Sequence, residues 1–81
     1  MRGRAMLRYS STLILKNDTG DYSAVEVTRE QADLDDILSW AGSKAEICCT
    51  NETRGTSFVA HFHDCNMSLA AMRQWLDSRP R

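Results

Sequence analysis

His61 and His63 stand two apart in a stretch that alternates like a β-strand. At that spacing both imidazoles leave the same face, where one metal ion is within reach of both. Cys65 extends the pattern to His-x-His-x-Cys, and Glu46 or Cys48 would lie on the neighbouring strand. Cys65, however, falls where the alternation ends, and no Cys-x-x-Cys or other second ligand pair completes a site. No metal and no cofactor is assigned. His61 is expected instead to pair across strands with Glu46, with Cys48 and Cys49 as small strand residues. A Cys65 nucleophile working with His61 or His63 would need a positioned base, an orienting group and an oxyanion site. The sequence does not supply these together, so no catalytic residue is assigned and a non-enzyme is expected.

Binding residues are read from charge and aromatic placement. Glu30, Asp33, Asp35 and Asp36 form an acidic run in a predicted helix. Acids near a helix N-terminus complement its dipole, and a row of them makes a negative ridge for a basic protein partner. Trp40 and Trp75 flank the apolar stripes of two predicted helices, where tryptophan covers a core rim or anchors a partner. Arg8, Lys16, Tyr22 and His61 fall on one predicted sheet face, where cations hold phosphates and an aromatic stacks a base.

These residues sit on elements that repeat. Leu34-Asp-Asp-Ile-Leu-Ser-Trp40 matches Leu69-Ala-Ala-Met-Arg-Gln-Trp75 at a displacement of 35, and Asn17-Asp-Thr19 matches Asn51-Glu-Thr53 at 34. Each half reads as ββα. In the first, Leu13 and Leu15 alternate in one strand, and Ser23, Val25 and Val27 in the next. Thr28-Arg-Glu-Gln31 has the capping-box pattern of a helix start. Leu34, Ile37, Leu38 and Ala41 follow at helical spacing, and Gly42 is a helix stop. In the second, Ala45, Ile47 and Cys49 alternate, then Phe58, Ala60 and Phe62. A helix follows from about Asn66 with Leu69, Met72 and Leu76 inward, and Pro80 lies beyond its end. Pairing Lys16 with Tyr22 and Thr50 with Ser57 sets inward residues against inward residues in both hairpins.

The expected fold is therefore α+β: a duplicated ββα-ββα, with a four-stranded antiparallel sheet and two helices packed on one face. The chain is expected to be one domain, 1–81, with a first unit at about 7–42 and a second at about 44–79. Residues 1–6 are expected to be a flexible basic N-terminus. The other sheet face, including Ile14, Tyr22, Ala24, Cys48, Val59, His61 and His63, is expected to be uncovered.

An 81-residue chain has a thin core and little material for a deep cleft. Three cysteines, two of them adjacent, do not suit a disulfide framework. With no apolar run of membrane-spanning length and no signal-peptide pattern, a cytoplasmic protein is expected. Net charge is −1, which argues against a general nucleic-acid binder. The expected function is a small non-catalytic protein-binding module, a regulator or inhibitor of a larger cytoplasmic partner, of the kind bacteria or phages encode. A homodimer is expected, joined through the sheet face or the overhang at Leu7 to Ser11. The alternative is a nucleic-acid-binding module using the open sheet.

Overall fold

Alternation of small or apolar residues with polar ones begins at the first residues of the chain and sets the architecture. A computed structural model describes residues 1–42 and 45–78. Its elements are β1 (Arg2–Tyr9), β2 (Thr12–Asn17), β3 (Tyr22–Glu26), β4 (Ile37–Trp40), β5 (Glu46–Asn51), β6 (Thr56–Met67) and α1 (Leu69–Asp77). The strands close into an antiparallel barrel in the order β1-β2-β3-β6-β5-β4. The described residues thus form a six-stranded barrel with one short helix, not a four-stranded sheet with two helices.

Both predicted hairpins form in the expected register. Lys16 pairs with Tyr22, Leu15 with Ser23 and Leu13 with Val25. Thr50 pairs with Ser57, Cys49 with Phe58 and Ile47 with Ala60. Period-two alternation is a strong constraint, because a one-residue slip would turn every inward side chain out. Leu13, Leu15, Val25, Leu38, Trp40, Ile47, Cys49, Ala60 and Phe62 fill the barrel interior. Trp40 and Phe62 meet there with ring centroids 4.9 Å apart.

The first predicted helix does not form. Its capping box does: Thr28 N donates to Gln31 Oε1 at 3.0 Å and Gln31 N to Thr28 Oγ1 at 3.2 Å. One turn follows, with Ala32 N donating to Thr28 O. The aspartates then divert the chain, since their carboxylates offer backbone N–H groups an alternative to helix propagation. Asp36 Oδ2 accepts from Asp33 N, and Asp33 Oδ1 accepts from Leu34 N. Asp35 turns the chain with φ +70°. Residues 37–40 then pair with β1 on one side and β5 on the other. A helix there would leave both strands with an unpaired edge, and tertiary pairing outweighs weak local propensity.

The N-terminus is likewise not a flexible arm. Gly3 and Ala5 are the buried positions that alternate with the exposed Arg2 and Arg4, and Ala5 is fully buried. Ala5 N donates to Asp36 O and Trp40 N to Met1 O, which ties β1 to the other half of the barrel.

The repeat survives in a different form. β1–β3 and β4–β6 are two antiparallel meanders, joined at two antiparallel seams, β1 with β4 and β3 with β6. Asn17 and Asn51 end equivalent strands, and both are buried. Asn17 O accepts from Gly20 N and Asn51 O from Gly55 N. Asp18 N donates to Arg2 O and Glu52 N to Ile37 O, again at equivalent places. The displacement of 34 is therefore structural. The Leu34–Trp40 and Leu69–Trp75 match is not: one segment is turn and strand, the other helix.

Helix α1 starts at Ser68, whose hydroxyl accepts from Ala71 N at 3.1 Å. Nine residues are too few to hold a helix alone in water. Met72, Trp75 and Leu76 anchor it on Ile14, Tyr22, Ala24 and Met67. Leu69, expected inward, is exposed. Ile14, Tyr22 and Ala24 lie on the outside of the barrel, so the helix covers part of the face that the sequence leaves open. The bounds at 44 and 79 and the position of Pro80 lie outside the described residues.

Candidate functional site

Bonding and burial divide the acidic run. Asp36 is buried at one end of the barrel, where its Oδ2 accepts from Asn51 Nδ2 and Arg54 Nε, both at 3.0 Å. Asn51 also donates to Gln31 O, and Arg54 Nη1 donates to Arg29 O and Glu30 O. Asp33 faces the Arg8 guanidinium at 3.0 Å. The Leu34 amide and then Arg8 hold the Asp33 carboxyl below its ordinary range. Glu30 and Asp35 remain exposed. Half of the predicted ridge is thus internal bonding that fixes the 28–36 loop.

Two predicted contacts of the sheet face are also internal. The Arg8 side chain is only 7% exposed, and it donates to Ser10 O, Val27 O and Ala32 O as well as to Asp33. Tyr22 is 8% exposed beneath α1. Lys16 and His61 stay exposed but oppose the two ends of β3, Tyr22 and Glu26. Four residues of strand separate those ends by about 13 Å. The four residues do not share one surface, and stacking on Tyr22 would require α1 to leave.

Trp40 belongs to the barrel core rather than its rim, and its indole N–H finds no acceptor among the described residues. Trp75 is half-buried, with its ring 5.8 Å from that of His63. His63 Nε2 lies 3.7 Å from Glu26 Oε2, and the His61 and His63 rings are 5.1 Å apart. His61 is opposite both Glu46 and Glu26. Among the described residues no group of three or more acidic, histidine or cysteine side chains is placed to hold a metal.

The thiols do not converge on a base. Burial, with Cys48 beside it, pushes the Cys49 thiol up to about 11. Burial also raises Cys65, partly offset by a hydrogen bond with Ser23. Neither carries the depressed value that an activated thiolate needs. A shallow groove of about 380 Å³ lies beside Cys65, lined by Ala45, Phe62, His63, Asp64 and Asn66.

The most distinctive surface lies elsewhere, at the first strand. A bulge between Ala5 and Leu7 breaks the β1–β2 register. It leaves both Met6 and Leu7 in solvent, at 46% and 40% exposure. The 33–36 turn runs alongside, because Ala5 N donates to Asp36 O, Asp35 N to Ala5 O and Arg8 Nε to Asp33 Oδ1. Leu34, 50% exposed, lies in this turn between the residues that bond Ala5 and Arg8. Arg4 lies one outward step from Met6 on β1 and directly opposite Lys16 on β2. Neither makes an ion pair among the described residues. Bulges re-aim side chains and recur next to functional sites. Here one coincides with a non-glycine residue at positive φ, Asp35, and such outliers also cluster at binding and switch sites.

The sequence gives a partial signal for this surface. Leu7 belongs to the predicted overhang, and the adjacent apolar pair Met6-Leu7 interrupts the Arg-Gly-Arg-Ala alternation. Leu34 carries no signal, because it reads as the inward position of a helix. Comparison with known proteins finds no matching family model, no curated protein and no solved structure. Among the described residues no helix is long and apolar enough to cross a membrane.

Proposed function

We propose that this chain is a non-catalytic protein-binding module and that it docks its partner on the Met6, Leu7 and Leu34 surface. The observation that carries the reading is a β-bulge that leaves Met6 and Leu7 exposed next to Ala5, the residue whose backbone bonds the turn that carries the exposed Leu34. Isolated exposed leucines need no explanation, whereas contiguous ones mark interaction sites. A filled six-stranded barrel leaves its outside as the place for recognition, and α1 already covers the outer face of β2 and β3. The raised Cys49 and Cys65 thiols support the non-catalytic part of the reading.

The test is affinity capture from the native host, comparing wild type with the triple variant Met6→Ser, Leu7→Ser, Leu34→Ser. Each side chain is only about half exposed, so the three changes together should lower the melting temperature by roughly 5–15 °C, and binding is compared at a temperature where both proteins are folded. A protein recovered by wild type, then purified, should bind the variant at least about tenfold more weakly, as expected when anchoring side chains are removed. Equal binding to both proteins would remove this surface from the account.

A further inference from the structure

The charge beside the apolar patch specifies the chemistry of the partner. Arg4 and Lys16 face each other across β1 and β2 on the outside of the barrel. Directly opposed residues have Cβ atoms about 5 Å apart, and like charges in that arrangement repel. Three other arginines have acidic partners: Arg2 has Glu52, Arg8 has Asp33 and Arg54 has Asp36. Arg4 and Lys16 have none among the described residues, in a chain of net charge −1 that has acids to spare. Two residues of strand place Arg4 about 7 Å from Met6. The far side of the patch ends at Leu34 and the exposed Asp35.

We infer that the surface takes an acidic amphipathic protein segment, with a carboxylate over Arg4 and Lys16 and apolar side chains on Met6, Leu7 and Leu34. The inference rests on the docking reading above. A carboxylate between the two cations would relieve their repulsion as it forms charge-assisted hydrogen bonds. The exposed Asp35 carboxylate sets direction, because it repels a partner's acid placed at the Leu34 end. It also disfavours a planar anionic membrane, which would press negative charge on both ends of the patch at once. β1 is paired by β2, β4 and the 33–36 turn. Recognition therefore runs through side chains and not through addition of a strand to an open edge.

Panning a random twelve-residue peptide display library on the folded, full-length chain tests this. The decisive variant is Arg4→Glu, which places opposite charges across the strands and so does not threaten folding. Wild type should enrich peptides that combine Asp or Glu with large apolar residues. A synthesised consensus peptide should bind R4E at least tenfold more weakly, and should lose affinity for wild type as salt rises. Peptides without acidic bias that bind R4E normally but fail on the Met6, Leu7 and Leu34 variant would overturn the acidic-partner inference and leave the docking surface in place. Peptides that ignore both variants, or no enrichment over an unrelated protein, would overturn both. Binding to phosphatidylserine vesicles, or a dimer by light scattering that the apolar variant abolishes, would replace the acidic segment with a bilayer or a second copy.

Discussion

Gly3→Val should lower the melting temperature by roughly 10–20 °C. A Cβ added at Gly3 would lie 3.0 Å from Asn17 Oδ1, 3.1 Å from Lys16 O and 3.2 Å from Leu15 Cβ. Asn17 cannot swing away freely, because its amide donates to Asp21 Oδ1 and Ser23 Oγ. Lys16 O is backbone. Valine adds two further methyl groups to a Cβ already tighter than ordinary contact. Overpacking of this kind costs about 1–3 kcal/mol, occasionally more. A domain of this size has about 4–12 kcal/mol to lose, and each kcal/mol moves its midpoint by roughly 4–8 °C. Thermal unfolding followed by circular dichroism checks the value. A flexible N-terminus would tolerate valine without any shift, so the result bears directly on where β1 lies.

Asp36→Ala should cost about 2–3 kcal/mol, while Glu30→Ala and Asp35→Asn should stay within about 0.5 kcal/mol of wild type. Removing the Asp36 carboxylate takes one acceptor from the fully buried Asn51 amide and separates Arg54 from its counter-charge. Stranding the partner of a fully buried pair costs about 3–5 kcal/mol. The smaller figure follows because 37% of the Arg54 side chain faces water. Asparagine is the right control at position 35, since it accepts a positive φ at least as readily as aspartate. Chemical denaturation of the three variants separates the outcomes. A solvated acidic ridge on a helix would give three equal and small effects.

What the sequence made legible was local pairing. The alternations around Leu13–Leu15, Ser23–Val27, Ile47–Cys49 and Phe58–Phe62 fixed both hairpins and their registers, since each long run admits only one inward face. Asn17 and Asn51 were visible as a repeated turn, although the unit they punctuate is a three-stranded meander. β1 was hidden because its inward residues are Gly3 and Ala5, too small to register as hydrophobic, while Arg2 and Arg4 dominate the composition. β4 was hidden by its length. Four residues, Ile37 to Trp40, give two alternations, and together with Leu34 and Ala41 they fit a helical period equally well. The capping box at Thr28 was real, yet it closes a single turn. A cap satisfies N–H groups at a helix start but does not decide whether the helix continues.

The candidate site inherits those differences. Arg8, Tyr22, Asp33, Asp36 and Trp40 were visible as charged or aromatic residues able to bind, but the barrel employs each of them internally. Residue type cannot separate the two roles when the partner lies twenty or more positions away, as Arg8 and Asp33 do. Met6, Leu7 and Leu34 are the converse. They look like core residues, and only the bulge and the turn at Asp35 turn them outward.

The central claim is that β1 closes the barrel against β4 and thereby brings the bulge at Met6 and Leu7 up to the turn that carries Leu34. Native-state amide hydrogen exchange measures it most directly, at the Ala5 and Trp40 amides that bond Asp36 O and Met1 O. Closure predicts that both exchange at least about a thousandfold more slowly than an unstructured chain, in step with the Leu13 and Val25 amides of the first hairpin. Exchange at Ala5 and Trp40 near the unstructured rate, with Leu13 and Val25 still protected, would show that β1 is not part of the fold and would contradict the account.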